Sequence, residues 1–271
     1  MTRTIRPFPL RQVNLENSSL CDRRCPECMR NSHPDKEKTA PWFKQNLMPT
    51  ELIHSVVDQV AALQGDPRQN GAGTTVIYFA HFNEPLLDDR IPDLCRYVKK
   101  KKLHPVILSN GNKMTRELAK ELDGVLLRMN FSTYGSKKQR QRRNKRVRSY
   151  FKKTPVCIKP VGFNPTQHSP TFDLATIVAD RIGRACFNPP RAMYINHQGE
   201  QLMCCSDFGA NFNLGNINDS TIEELWFSDA HQERMRKLTK RGSRRKYPYC
   251  SACPLFGRAG PGDDKWLDAC T

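Results

Sequence analysis

No run of apolar residues in this chain approaches the length that a membrane crossing needs. The first ten residues are basic and lack the apolar core of a secretion signal, so a cytoplasmic protein is expected. No internal repeat is found. Acidic residues are scarce: 27 Asp and Glu stand against 44 Lys and Arg, a formal net charge of +17. That imbalance says nothing about fold. It favours an anionic partner: nucleic acid, a phosphorylated substrate or an acidic protein. Between Lys137 and Lys153 acids are absent altogether, while ten residues are Lys or Arg.

What the chain does have is length and sulfur. Its 271 residues suffice for one large domain and a small appendage, and 38% of them are hydrophobic, as in a globular protein. Eleven cysteines is a high and odd number. Without a secretion signal they read as metal ligands or reactive thiols rather than disulfides.

Short apolar strands alternate with helical stretches. Strands are expected at 11–15, 74–82, 105–109, 125–132 and 155–163. Helices are expected from Thr50, as N-cap, to Leu63, then at 91–101, 114–122 and 174–182. This rhythm implies parallel strands with crossover helices. Five or six units are too few for a closed eight-unit barrel, so the fold class is α/β with a partial (β/α)6 barrel. The rhythm changes after residue 185. A hairpin turning at Gln198-Gly199 is expected over 192–204, a helix over 221–238, and a tail rich in Pro, Gly, Arg and Cys. A boundary near 183–187 divides the chain into domains 1–185 and 186–271.

Cys21, Cys25 and Cys28 have the spacing C-x3-C-x2-C in a polar loop after the first strand. Three thiolates within eight residues can hold one corner of a cubane and leave one iron open. A zinc knuckle that borrows His33 is the alternative. Four more cysteines, Cys186, Cys204, Cys250 and Cys253, can close a second cluster completely, or hold zinc. Cys205 adjoins Cys204 and competes with it as ligand. Cys95 lies on an apolar helix face and reads as core packing.

The first motif resembles the signature of the radical S-adenosylmethionine (SAM) superfamily. His81-Phe82-Asn83-Glu84-Pro85-Leu86 resembles the Gly-Gly-Glu-Pro segment of that family, and Ser109-Asn110-Gly111 its "TNG". Ser132 follows where the family often has a residue facing the SAM ribose. The resemblance implies a 4Fe–4S cluster on the three cysteines, with SAM on the open iron. It assigns Asn83, Glu84, Pro85, Ser109, Asn110 and Ser132 to SAM, with Glu84 accepting from the SAM ammonium. Two positions depart from the pattern: Glu27 replaces an aromatic, and Asn83 the second glycine. The segments Tyr194-Ile195-Asn196, Leu214-Gly215-Asn216-Ile217 and Ile222 to Trp226, with the final C-x2-C, resemble the SPASM extension in its shortened twitch form. That implies a second, auxiliary 4Fe–4S cluster and a flavodoxin- or ferredoxin-type reductant, and the likeness extends to members that oxidise aminocyclitols.

The expected function is therefore a radical SAM enzyme that takes a hydrogen atom from its substrate, ending in oxidation, epimerisation or isomerisation. The charge favours a nucleic acid or nucleotide-linked substrate reached through the basic run, with Tyr150 and Phe151 as stacking partners. A basic, partly disordered loop is the alternative there. An aminosugar or a ribosomal peptide is the second substrate reading, and a zinc-stabilised nucleic-acid-binding protein the third. Cys157 and Cys205 are candidates to return a hydrogen atom to a substrate radical.

Overall fold

The computed structural model describes residues 6–25, 28, 30, 46–70, 73–160, 183–251 and 253. Seven strands form one sheet in the order β5-β4-β3-β2-β1-β6-β7. They are β1 (Gln12–Leu15), β2 (Val76–Phe79), β3 (His104–Ser109), β4 (Arg128–Thr133), β5 (Val156–Pro160), β6 (Met193–Ile195) and β7 (Gln201–Leu202). All neighbouring pairs are parallel except β6 and β7. The helices are α1 (Thr50–Ala62), α2 (Ile91–Lys100), α3 (Arg116–Leu122), α4 (Lys137–Arg148), α5 (Ile222–Phe227) and α6 (Asp229–Leu238), with a last short turn, Pro248–Ser251.

Alternation along each strand separates two faces. Val13, Leu15, Ile77, Phe79, Met129 and Phe131 pack against the helices in the main core. The other face carries Asn14, Tyr78, Val106, Asn130 and Cys157, and among the described residues the apolar cluster there is small: Tyr78, Ala80 and Val106, with Val76 packed against them. Cys95 is fully buried in the main core, as expected.

The described residues hold five parallel strands before residue 161, in line with the expected partial barrel, and the helix expected at 174–182 lies outside them. The expected C-terminal hairpin forms as β6 and β7, and β6 also pairs with β1. Beyond β2, β1 would otherwise present bare peptide groups, and β6 satisfies them. Other expectations are corrected. Thr50 does not cap α1. Pro49 occupies that position, and the Thr50 hydroxyl accepts instead from Arg90 Nη1 at 2.7 Å. The single helix expected at 221–238 is two, because Ser228 leaves helical geometry (ψ 139°) and its hydroxyl accepts from the His231 amide to start α6. The basic run is an ordered helix over most of its length. Ser136 and Gln139 form a reciprocal capping box, and Val147 anchors α4 in the core.

Trp226 joins the layers: it is fully buried, and its Nε1 donates to the Phe8 carbonyl at 2.9 Å. Trp226→Ala is expected to lower stability by about 3–5 kcal/mol, measured by urea denaturation.

Candidate functional site

A parallel sheet places the C-terminal ends of β1 to β4 along one edge, and the loops leaving that edge carry the candidate residues. The β1 and β2 loops are pinned together. The Glu84 amide donates to the Leu20 carbonyl at 2.7 Å, and Asn83 Nδ2 donates to Asn17 Oδ1 at 2.9 Å. Asn17 in turn donates to Asp88 Oδ2 at 2.9 Å. The amide of Asn83 thus does a job that the glycine of the family pattern has no side chain for.

Glu84 is buried, yet both its oxygens accept hydrogen bonds. Ser109 Oγ donates to one at 2.6 Å and the Asn110 amide to the other at 2.6 Å, while the Leu86 amide adds a 3.1 Å contact. Burial pushes the carboxyl above its ordinary range, against these donors. Pro85 opens the short turn that presents Glu84. Gly111 has φ 69°, and a Cβ there would lie 2.8 Å from the Phe131 ring, so the residue after Asn110 must be small and left-handed. Ser132 stands half-buried on β4 opposite Lys159 of β5.

Cys21, Cys25 and Cys28 are all partly accessible, and their sulfurs influence one another. The Cys28 amide donates to the Cys25 carbonyl at 3.1 Å, and the Arg23 and Arg30 amides bond Cys21 and Cys28. Burial pushes the Cys21 thiol up, and the Cys28 thiol up to about 11. Beside Cys25 lies a cleft of about 440 Å³ lined by Asp22, Arg23, Arg24, Asn112 and Tyr134. Asp22 accepts from Asn110 Nδ2 at 2.6 Å and Asn112 Nδ2 at 2.9 Å, so the cysteine loop is fastened to the end of β3. Arg23 stacks 3.7 Å above the Tyr134 ring. Burial, then the neighbouring Cys25, drives the Tyr134 hydroxyl upward. Sequence reasoning missed Asp22, Asn112 and Tyr134; their adjacency to Cys21, Asn110 and Ser132 was the available signal.

The C-terminal cysteines also converge. Cys204 feels Cys205, Cys186 and Cys253, and Cys250 feels Cys186 and Cys253. Burial drives Cys204 well upward and Cys250 up to about 12. The Cys186 amide donates to the Leu238 carbonyl at the end of α6 (2.8 Å), and Arg244 Nη2 to the Cys253 carbonyl (2.6 Å). The loop carrying Cys204 is folded on Asp207, which accepts from the Met203 and Asn211 amides, both at 2.9 Å. Gly215 has φ 108°, and a Cβ would meet Leu225 at 2.6 Å, which accounts for the glycine of the "GNI" turn. Cys205 is exposed beside Cys204. Cys157 is buried on the inner face of β5. Among the described residues, no three Cys, His, Asp or Glu are gathered as tightly as a single metal ion requires. A cubane spaces its thiolates more widely than one ion does.

Residues 81–84 touch both sites. Glu84 raises Cys21 electrostatically, while the Phe82 ring packs edge-on against Phe208 at 4.6 Å and His81 lies against Tyr194 at 5.6 Å. His81 carries a strained φ of 148°. Beside it, His197 Nδ1 lies 3.0 Å from Glu16 Oε2, and both side chains are buried. The Cys205 backbone offers the His81 ring a hydrogen bond, while among the described residues His197 Nε2 and Asn14 Nδ2 have no partner.

Residues 186–254 match the SPASM family model, an iron-sulfur cluster-binding domain. The S-adenosyl-L-methionine-dependent 2-deoxy-scyllo-inosamine dehydrogenase of Niallia circulans is 23% identical over 247 residues, covering 89% of this chain and 91% of that protein. Among solved structures, BtrN in complex with AdoMet and 2-DOIA superposes with a TM-score of 0.67 at 21% identity, over 90% of this chain and 92% of that one. The anSMEcpe structure with bound AdoMet gives 0.59 at 15% identity, over 91% and 85%. The likeness to both structures is one of fold.

Burial raises the Glu16 carboxyl, but the hydrogen bonds from His197 and the charges of His81 and His197 outweigh it, leaving a net depression from 4.5. The pair therefore stabilises the fold above the ordinary carboxylate range, and that contribution is lost as pH falls through the lower folded-state value. In urea denaturation, the stability difference between wild type and Glu16→Gln is expected to shrink between about pH 6 and about pH 3.

Proposed function

We infer that this chain, an α/β partial barrel of the radical SAM type joined to a SPASM domain, is a radical SAM dehydrogenase acting on a small, hydroxyl-rich, aminosugar-like substrate. The observation that carries the reading is the presence of two cysteine sets, linked through residues 81–84, in a chain alike over about nine tenths of its length to an aminocyclitol dehydrogenase.

The residues suit the groups assigned to them. Cys21, Cys25 and Cys28 offer three thiols with N–H donors to two of them, and Cys186, Cys204, Cys250 and Cys253 offer four. Thiols raised by burial stay protonated in the absence of metal, and a cationic iron centre that binds the thiolates displaces their protons to solvent. Three donors favour the anionic form of the buried Glu84, and among the described residues it makes no ion pair, which leaves it free to accept from an ammonium group. When bound, the N-terminal cluster and SAM supply a carbon-centred radical able to take a hydrogen atom, and the C-terminal cluster supplies a one-electron centre. The chain's own part is positioning. Glu84 and Asn110 fix the cofactor side, and Asp22 holds the cysteine loop to β3.

The inner face supports a polar small-molecule substrate. Among the described residues, Asn14 Nδ2, the Tyr78 hydroxyl and His197 Nε2 are buried with unused hydrogen-bonding capacity, which hydroxyl and amino groups complement. The nucleic-acid reading finds no such support. Phe151 is buried against Phe131 at 6.4 Å and Tyr150 packs on the core, so neither is displayed for stacking bases. The comparisons point to no nucleic-acid substrate. A one-electron reductant of flavodoxin or ferredoxin type completes the proposal.

In an anaerobic incubation with SAM, reductant and 2-deoxy-scyllo-inosamine, 5′-deoxyadenosine and a two-electron-oxidised product are expected to form together. No rise in 5′-deoxyadenosine with any aminocyclitol or aminosugar overturns the substrate class. Reconstituted protein is expected to hold about eight irons per chain, falling to about four when Cys21, Cys25 and Cys28 are all replaced by Ala, and likewise for the C-terminal four.

A further inference from the structure

Helix α4 is a surface that the proposed reaction leaves unused. Eight of its twelve residues are Lys or Arg and none is acidic. Lys137, Lys138, Arg142, Lys145, Arg146 and Arg148 are exposed. Among the described residues no ion pair involves the helix. So dense a block of like charge opposes helix formation by mutual repulsion. The helix is nevertheless fixed at both ends, by the Ser136–Gln139 capping box and by buried Val147.

Its position is specific. Arg143 Nη2 donates to the Asn110 carbonyl at 2.6 Å and to Asn112 Oδ1 at 2.7 Å. Asn112 donates in turn to Asp22, next to Cys21. A second cleft, of about 560 Å³, lies along α4 between Gln139, Arg142, Arg143, Arg146 and Asn112. It shares Asn112 with the cleft where Arg23 and Arg24 flank Cys25. One cationic rim therefore runs from the exposed side of α4 to the partly accessible N-terminal cysteines.

We propose that this rim, Arg23 and Arg24 with the exposed face of α4, is the docking surface for an acidic one-electron donor protein that reduces the N-terminal cluster. The inference rests on the proposed function for the identity of the cargo, and on charge complementarity and location for the partner. Exposed like charges at the edge of a partner's path accelerate encounter and set orientation more than they add affinity, and salt weakens them. A single-stranded nucleic acid is disfavoured because, among the described residues, no aromatic ring stands on the exposed face of α4, and Tyr134 in the adjoining cleft is covered by Arg23.

The test uses the full, anaerobically reconstituted chain in biolayer interferometry against immobilised acidic flavodoxin, with a 20-nucleotide RNA as the competing probe. Flavodoxin is expected to bind, and to bind more weakly as salt rises. The triple variant Lys138→Glu, Arg142→Glu, Arg146→Glu is expected to weaken binding about tenfold or more, and Arg142→Gln with Arg146→Gln to fall between. Reversing Lys99, Lys100 and Lys102 to Glu, on another basic surface, is expected to leave the affinity within about twofold. Equal loss from both triple variants, no loss from the α4 variant, or tight RNA binding without flavodoxin binding overturns the docking surface. Iron content of the same samples separates the failures. Iron-replete protein that does not bind overturns the docking surface alone, and iron-free protein overturns the proposed function and the docking surface with it.

Discussion

A carboxylate removed from water at the meeting point of three loops organises one end of this molecule. Taking Glu84 out of solvent costs several kcal/mol. Its hydrogen bonds from Ser109 Oγ, the Asn110 amide and the Leu86 amide return about 1.5–3 kcal/mol each when the acceptor is charged. The two sides nearly balance, which is why burial still leaves the carboxyl raised. A group so poised responds strongly to one added positive charge. The same bonds dictate where the β2 and β3 loops lie, and through Leu20 and Asp22 they fix the cysteine loop of β1. The geometry of the thiols is thus inherited from an oxygen-centred network.

The sheet divides its labour by face. One side is a conventional apolar core against helices. The other holds amides, imidazoles and a phenol, several without partners. An unsatisfied buried polar atom typically costs about 1–3 kcal/mol, so a fold that keeps several on one face has not been shaped for stability alone. Such concentrations mark the places where proteins forgo stability for function.

The barrel strands and most helices were legible because their apolar periodicity is strong, as at Val56, Val57 and Val60 of α1. The cysteine sets were legible from spacing, and the Glu84, Ser109 and Asn110 constellation from motif order. What escaped was tertiary. Glu16 and His197 are 181 positions apart, and only the β1–β6 pairing brings them together. Thr50 looked like a cap because a local reading knows nothing of Arg90, forty positions on. Whether the basic run was a binding surface or a loop stayed open because its composition opposes a helix, while its anchors are a capping box and one buried valine. Ser228 interrupts an otherwise continuous helical pattern through its own capping chemistry, a local signal that the stronger periodicity hid.

The pairing of β6 with β1 bears on how such a chain is inherited. Were the auxiliary-cluster segment a module hung on a tether, it might be gained or lost by simple fusion. Here its first strand completes the central sheet, and its hairpin turn delivers an imidazole to a carboxylate of the first strand. Excision would strip a hydrogen-bonding edge from the middle of the fold and strand a buried acid. The two halves are therefore bound to vary in concert, and graft experiments between relatives should exchange β1 together with the hairpin.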